Sequence, residues 1–294
     1  MSLFSYVYLK VVVTILRFLR KSRGKEIAVH PDRIIQIPSR DKGRTLTTHV
    51  YTPNKDDKKQ PSPVLINFHG SGFVFPMHGT DDEFARRIGQ QSGYIVLDVR
   101  YRLAPENPFP AALHDVEDAV NWVLDQPGRF DVSRVAISGF SAGGNLALAA
   151  ASCVFPQPTF SSLLAFYPPT DISQDPETKT APSAGGKPIP AFMAKLFNRC
   201  YGAPPLDPRD PRISPSYADP QRFPHRVLIV TAGYDNLAPE AEELAGKIAK
   251  VPGRAVVCQR MEGCNHGWDK TAQKGTLQEE AKERMISLAL EMLK

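Results

Sequence analysis

Gly139-Phe140-Ser141-Ala142-Gly143 lies between a short apolar run, Arg134-Val-Ala-Ile-Ser138, and a run of helix formers, Gly144-Asn-Leu-Ala-Leu-Ala-Ala-Ala151. Strand, tight turn and helix in that order lift a serine hydroxyl clear of a sheet edge and aim it outward, the arrangement of a nucleophile elbow. The turn is so tight that a side chain at 139 or 143 would collide with the neighbouring strand or helix, which explains both glycines. The pentapeptide by itself also suits an ordinary strand-to-helix turn, so the decision rests on its neighbours.

Three further segments agree with the elbow. Val64-Leu-Ile-Asn-Phe68 reads as a buried strand that runs into His69-Gly70-Ser71-Gly72-Phe73. The backbone N–H groups of Gly70 and Ser71, with that of Ala142 after the serine, are placed to hold a developing oxyanion. Downstream, the strand Arg226-Val-Leu-Ile-Val-Thr231 ends shortly before Asp235, and the strand Arg254-Ala-Val-Val-Cys-Gln259 leads into the loop that carries His266. Ser141, Asp235 and His266 follow the order nucleophile, acid, base. A serine hydroxyl is a poor nucleophile at neutral pH, so a histidine must take its proton and a carboxylate must hold that imidazole. Glu240 and Glu242 compete for the acid role, but both lie in what reads as the start of a helix, where acids meet the helix dipole. His69 reads as structural, a brace for the glycine loop. His78, His114 and His225 show no ligand spacing, the cysteines form no C-x-x-C pair and the glycines no phosphate loop, so no metal and no cofactor are expected.

At these points the chain resembles the hormone-sensitive-lipase-like branch of the α/β-hydrolases, the family IV esterases. The resemblance is carried most specifically by Tyr101-Arg-Leu-Ala-Pro-Glu106 with Pro108-Phe-Pro-Ala-Ala112, and by Ser214-Pro-Ser-Tyr-Ala-Asp219; it covers about residues 60 to 290. It implies an α/β fold, a mainly parallel sheet with helices on both faces and a helical cap. It also implies a serine esterase acting on short- to medium-chain acyl esters without a cofactor. Val64 to Phe75 further resembles fungal members such as versiconal hemiacetal acetate esterases, which implies acetyl or lactone chemistry on a natural product. The chain departs from the family twice. Ser71 stands where a glycine is usual, which puts a side chain beside the oxyanion. Phe140 stands where an aspartate is usual, which removes an ion pair and favours a more apolar pocket.

Two strands around Arg33–Ile37 and Thr45–Tyr51 read as an antiparallel edge, followed by a charged turn at 54–60. From there strands alternate with helices near residues 80–91, 111–126, 144–154, 239–250 and 276–293, as a parallel sheet requires. One catalytic domain, 26–294, accommodates the whole pattern. The alternation stops at about 171–217, where prolines are dense and Ala191–Cys200 can form a short helix. As a cap, this insertion would contribute Phe192, Met193 and Phe197 to the substrate pocket, beside Phe73 and Phe140. As a loop, residues 176–190 would have no fixed structure.

The amino terminus is separate in character. Residues 3 to 19 are nearly all apolar, with Lys10, Thr14, Arg17 and Lys21 on one helical stripe. Lys10, Arg17, Arg20, Lys21, Arg23 and Lys25 are six of the thirty-six basic residues, and the thirty that remain face thirty-one acids. The positive charge is thus local, and no nucleic-acid-binding face is expected on the catalytic domain. Basic residues follow the apolar run, which argues against a secretory signal. As a helix, residues 3–19 span about 26 Å, short of a ~30 Å hydrocarbon core. Residues 1–25 therefore suit two roles, half of the cap or contact with a membrane surface through residues 3–25; a cytoplasmic setting, with four free thiols, is expected. The remaining partner is a small-molecule ester. Acyl transfer on the same fold and a gibberellin-receptor-like binder stay open as alternatives, and oligomeric state is not encoded in any pattern.

Overall fold

The apolar runs become strands of a single sheet. The computed structural model describes residues 2–23, 28–54, 61–202 and 205–294; Lys25, most of the 54–60 turn and Pro204 lie outside the described residues. The strands are β1 (Arg33–Pro38), β2 (Thr45–Tyr51), β3 (Ser62–Phe68), β4 (Ile95–Val99), β5 (Phe130–Phe140), β6 (Ser162–Phe166), β7 (Arg226–Ala232) and β8 (Ala255–Met261). They lie in the order β1-β2-β4-β3-β5-β6-β7-β8. β1 and β2 are antiparallel, as are β2 and β4, and every pairing from β4 to β8 is parallel.

Successive residues of the central strands enter opposite cores. Val64, Ile66 and Phe68 pack on one face and Leu65 on the other, and β5 and β7 alternate in the same way. Burial on both faces is why these strands are apolar along most of their length. Helices α3 (Ala111–Leu124), α4 (Ala142–Ala149) and α6 (Ala238–Ala249) cover the first face through Val116, Val120, Leu146 and Leu244. Helices α2 (Asp82–Ser92) and α7 (Leu277–Met292) cover the second through Phe84, Ile88, Met285 and Ile286. Helix α7 starts where the Thr276 side chain accepts the N–H of Glu279, the spacing of a capping box.

Two helices, α1 (Leu3–Arg23) and α5 (Ala191–Tyr201), stand apart from these layers. Leu9 and Val13 of α1 are buried with Val74, Ala104 and Cys200. Arg17 fastens the helix: its guanidinium donates to both carboxylate oxygens of Glu106, at 2.7 and 3.0 Å, and to the carbonyls of Ala104 and Val74. Lys10 also reaches Glu106, at 3.3 Å. Part of the polar stripe of α1 is therefore turned toward the protein. Phe4, Tyr8, Val11, Ile15 and Phe18, spaced three or four residues apart, are exposed on the other side.

The segment before α5 is irregular but tied down. Ser183 N–H donates to the Gly233 carbonyl (2.9 Å), Asn236 reaches the Ile189 carbonyl (3.0 Å), and Lys179 pairs with the buried Glu240. A Cβ at Gly186 would lie 2.1 Å from Tyr234. These ties hold 176–190 against the loop that carries Asp235 and against α6, so the alternative of a stretch without fixed structure does not hold there.

Candidate active site

The elbow is packed backbone against backbone. A Cβ at Gly143 would lie 1.9 Å from the Phe68 carbonyl oxygen, and one at Gly139 would lie 2.2 Å from Gly143. Ser141 itself sits at φ +49°, ψ −118°, a conformation that side-chain-bearing residues adopt only when their surroundings enforce it. Its N–H donates to the Phe166 carbonyl at 2.8 Å, and its carbonyl accepts from Asn145 at 3.0 Å.

The structure brings Ser141, His266 and Asp235 together in one relay. His266 Nε2 lies 2.9 Å from Ser141 Oγ, and His266 Nδ1 lies 2.6 Å from Asp235 Oδ2. Asp235 is fully buried, and its other oxygen accepts the Leu237 N–H at 3.1 Å. An ionised carboxylate only accepts, so Nδ1 carries the imidazole proton and Nε2 presents its lone pair to the serine hydroxyl.

Gly70, Ser71 and Ala142 line the same cavity as Ser141. Gly70 is pressed against the elbow: a Cβ there would meet the Phe140 carbonyl oxygen at 3.3 Å. No backbone hydrogen bond among the described residues takes up the N–H of Gly70 or Ser71. The Ser71 side chain does lie beside that space, and its hydroxyl is engaged within the loop. Phe73 N–H donates to Ser71 Oγ (2.8 Å), which lies 2.7 Å from the Tyr101 hydroxyl, and that hydroxyl donates to the His69 carbonyl (2.7 Å). This chain holds the loop from within. His69 is a brace as well, fully buried, stacked on Tyr101 at 4.4 Å, with Nδ1–H donating to the Gly70 carbonyl. Burial pushes its pKa down to about 3, so it stays neutral.

The cavity measures about 340 Å³. Phe73 and Phe197 line it, together with Phe75, Tyr167, Ile172, Ile189 and Leu237. Phe73 (φ +63°) stacks on Tyr201 at 3.7 Å, which explains its strained backbone as part of the wall. Helix α5 lies so close to the oxyanion loop that a Cβ at Gly72 would meet the Phe197 ring at 2.9 Å. Three expected pocket residues are elsewhere. Phe192 is 70% exposed and points away, and Met193, one residue on, is also absent from the lining; Ala194 and Asn198 take the inner face of α5. Phe140 is fully buried behind the elbow, stacked on Phe166 at 4.5 Å. It is the last residue of β5 and follows the sheet's alternation into the core beneath α2 and α7 instead of opening into the cavity.

An ionic group that the sequence pattern did not reveal lies against Phe140 at the cavity wall, built on the buried Asp81 and Asp269. Lys270 Nζ sits 3.7 Å from the centroid of the Phe140 ring and pairs with Asp81 (2.6 Å) and Asp269 (2.7 Å). Burial alone would lower the ammonium's pKa, but the two carboxylates outweigh it and hold Lys270 above its ordinary value. Asp269 also accepts from the Tyr167 hydroxyl at 2.7 Å, and the Tyr167 ring lies edge-on to His266 at 4.8 Å. Only the proximity of Asp269 and Lys270 to His266 in sequence could have drawn attention to them.

Residues 65–270 match a family of the alpha/beta hydrolase fold. An ethyl acetate hydrolase of Pseudomonas putida is 30% identical over 88% of this chain and 82% of its own. A carboxylesterase of Mycobacterium tuberculosis is 34% identical over 74% of this chain and 67% of its own. Among solved structures, an esterase from Pyrobaculum calidifontis superposes with a TM-score of 0.77 at 28% identity, covering 100% of this chain and 93% of that one. The chain belongs to the hormone-sensitive-lipase-like family of the α/β-hydrolases. It is a carboxylesterase.

Proposed function

We propose that this carboxylesterase hydrolyses short- to medium-chain acyl esters, acetyl esters and lactones of small hydrophobic molecules through an acyl-enzyme on Ser141. The observation that carries the reading is the Asp235–His266–Ser141 relay, with spacings of 2.6 and 2.9 Å at a serine held in a strained turn. His266 takes the hydroxyl proton as Oγ attacks the acyl carbon, and returns it to the leaving alkoxide as the tetrahedral adduct collapses. The N–H groups of Gly70, Ser71 and Ala142 stabilise the oxyanion, each worth about 2.7 to 4 kcal/mol in the transition state. Water, deprotonated by the same imidazole, then releases the acid. A cavity of about 340 Å³, walled mainly by aromatic and aliphatic side chains, sits at the small end of ligand sites and favours short acyl groups. The fungal versiconal hemiacetal acetate esterase resemblance supports an acetyl or lactone group on a natural product.

Release of p-nitrophenol from acetyl, butyryl, octanoyl and palmitoyl esters by the wild type and Ser141→Ala tests this reading. The expected result is a maximum at acetyl or butyryl and a loss of at least about 10⁴-fold in the variant. Equal turnover in the two proteins would remove Ser141 from the mechanism. Acyl transfer to an added alcohol in preference to water would reassign the reaction.

We propose further that the outer face of α1 rests on a membrane surface. Phe4, Tyr8, Val11, Ile15 and Phe18 form an exposed apolar stripe, and the exposed Lys21 just beyond it suits anionic headgroups. No helix among the described residues is long and apolar enough to cross a membrane, which fits a helix lying in the interface. Co-sedimentation of the full chain with phosphatidylserine-containing vesicles, lost in a Phe4→Ser/Phe18→Ser variant, is expected; equal partitioning of both proteins would remove the contact.

A further inference from the structure

A row of buried polar side chains crosses the sheet below the elbow. Ser138, Asn67, Asp98 and His49 are register partners on β5, β3, β4 and β2 in turn. Ser138 Oγ donates to Asn67 Oδ1 (2.8 Å), and the Asn67 amide donates to both Asp98 Oδ1 (3.0 Å) and Asp81 Oδ2 (2.9 Å). The row ends unsatisfied. Asp98 Oδ2 and His49 Nδ1 are buried with no hydrogen-bond partner, although Asp98 is fully buried and His49 is only 7% exposed. His78, from the loop between β3 and α2, brings its Nε2 to 3.3 Å from Asp98 Oδ2, and its ring lies 4.0 Å from that of His49.

We propose that His49, His78 and Asp98 form a binding site for one divalent transition-metal ion, with Zn²⁺ the best match to the donors. One ligand atom from each residue lies within 4.8 Å of the other two. Ligand edges in a tetrahedral Zn²⁺ site are about 3.3 Å, given metal–ligand bonds of ~2.0–2.1 Å, so binding draws the rings together by side-chain rotation. Two imidazoles and one carboxylate, with a fourth position left for water, form a donor set suited to zinc.

Carboxyl groups crowd this part of the core. Asp81, Asp98 and Asp269 are buried around the single ammonium of Lys270, which pairs with Asp81 and Asp269 but not with Asp98. His78 now donates Nε2–H to the Asp98 carbonyl at 2.9 Å, so ligation through that nitrogen gives up this bond and moves the ring proton to Nδ1, with the imidazole still neutral. Bound there, the ion would clamp β2 and β4 to the segment 75–80, three of whose residues, Phe75, Met77 and Thr80, line the ester cavity. Sequence spacing could not disclose the site, because its ligands come from two strands and a loop.

The test uses the full chain, freed of metal by chelator dialysis and titrated with Co²⁺ or Zn²⁺. Expected are one Co²⁺ per chain with the intense visible bands of a four-coordinate ion, and a Tm rise of roughly 5 °C at about a hundredfold excess of Zn²⁺ over Kd. His49→Gln and His78→Gln should each weaken Co²⁺ binding at least tenfold. A wild type that takes up no stoichiometric metal, or variants that bind as the wild type does, would overturn the proposal. Paramagnetic broadening of wild-type imidazole protons by Co²⁺ needs no variant: His49 and His78 should broaden first, and broadening led by His30, His114 or His225 would overturn it equally.

Discussion

The elbow and helix α1 border the same cavity but are held in opposite ways. Around Ser141, main chain packs on main chain, with glycines at 139 and 143 leaving no room even for a methyl group. Helix α1 depends on the buried pair Leu9 and Val13 and on one carboxylate, Glu106, that gathers Arg17 and Lys10. Geometry for bond making is thus set by close packing across the sheet, whereas the wall that meets substrate and surroundings hangs on a few polar ties. Variation on the α1 side should alter access and stability and leave the reacting atoms where they are.

The sharpest way to break this comparison is Gly143→Ala. A Cβ 1.9 Å from a carbonyl oxygen forces the β3–β5–α4 junction apart. The expected cost exceeds about 4 kcal/mol, visible as loss of soluble, cooperatively unfolding protein. A stable, active Gly143→Ala enzyme would show that the elbow tolerates slack.

Ser71→Ala should have a smaller effect. It interrupts the chain from Phe73 N–H through Ser71 and Tyr101 to the His69 carbonyl. Leaving a buried N–H unsatisfied costs about 1–3 kcal/mol. Denaturant unfolding should register that loss, and kcat/KM should fall roughly tenfold if the strained loop shifts, one decade corresponding to about 1.4 kcal/mol.

Glu106→Gln should release α1 at modest cost, about 1 kcal/mol or less for a partly exposed ion pair. Burial raises the Glu106 carboxyl, but the Arg17 fork and Lys10 outweigh it and leave its pKa below the usual carboxylate range. A depressed folded-state pKa means that the tie is fully present above the ordinary value of about 4.5 and is lost as pH falls through the depressed one. Limited proteolysis should therefore cut the wild type near α1 only in acid, and Glu106→Gln already at neutral pH. Cleavage independent of both pH and variant would show that apolar packing alone holds the helix.

The smallest effect separates two phenylalanines of α5. Phe192→Ser should leave ester kinetics unchanged, since the ring is 70% exposed and outside the cavity. Phe197→Ala should raise KM severalfold with a lesser change in kcat. The reverse ranking would mean that α5 turns its other face inward.

Much of this was legible in the chain because it is local. Each strand beside a site residue announced itself as an apolar run, and the helices fell within a few residues of their expected spans, since periodicity and turn residues act over short distances. The bounds of β4 and β6 were not drawn in advance, and with β6 went Tyr167, which follows it directly. Phe140, Phe192 and Met193 were misplaced for a related reason. An aromatic residue near a site can turn either way, and only the register of β5 and the docked face of α5 decide which.

By itself, the sequence determined the parallel sheet, the elbow and the order of serine, acid and histidine, because short-range sterics and strand alternation write those features into consecutive residues. Tertiary structure alone decided which side chains wall the cavity, that Lys270 lies against Phe140, that α1 turns Arg17 inward, and that His49, His78 and Asp98 converge. Each of these depends on residues tens of positions apart being packed at atomic contact, and the distances and burial that result have no counterpart in spacing along the chain.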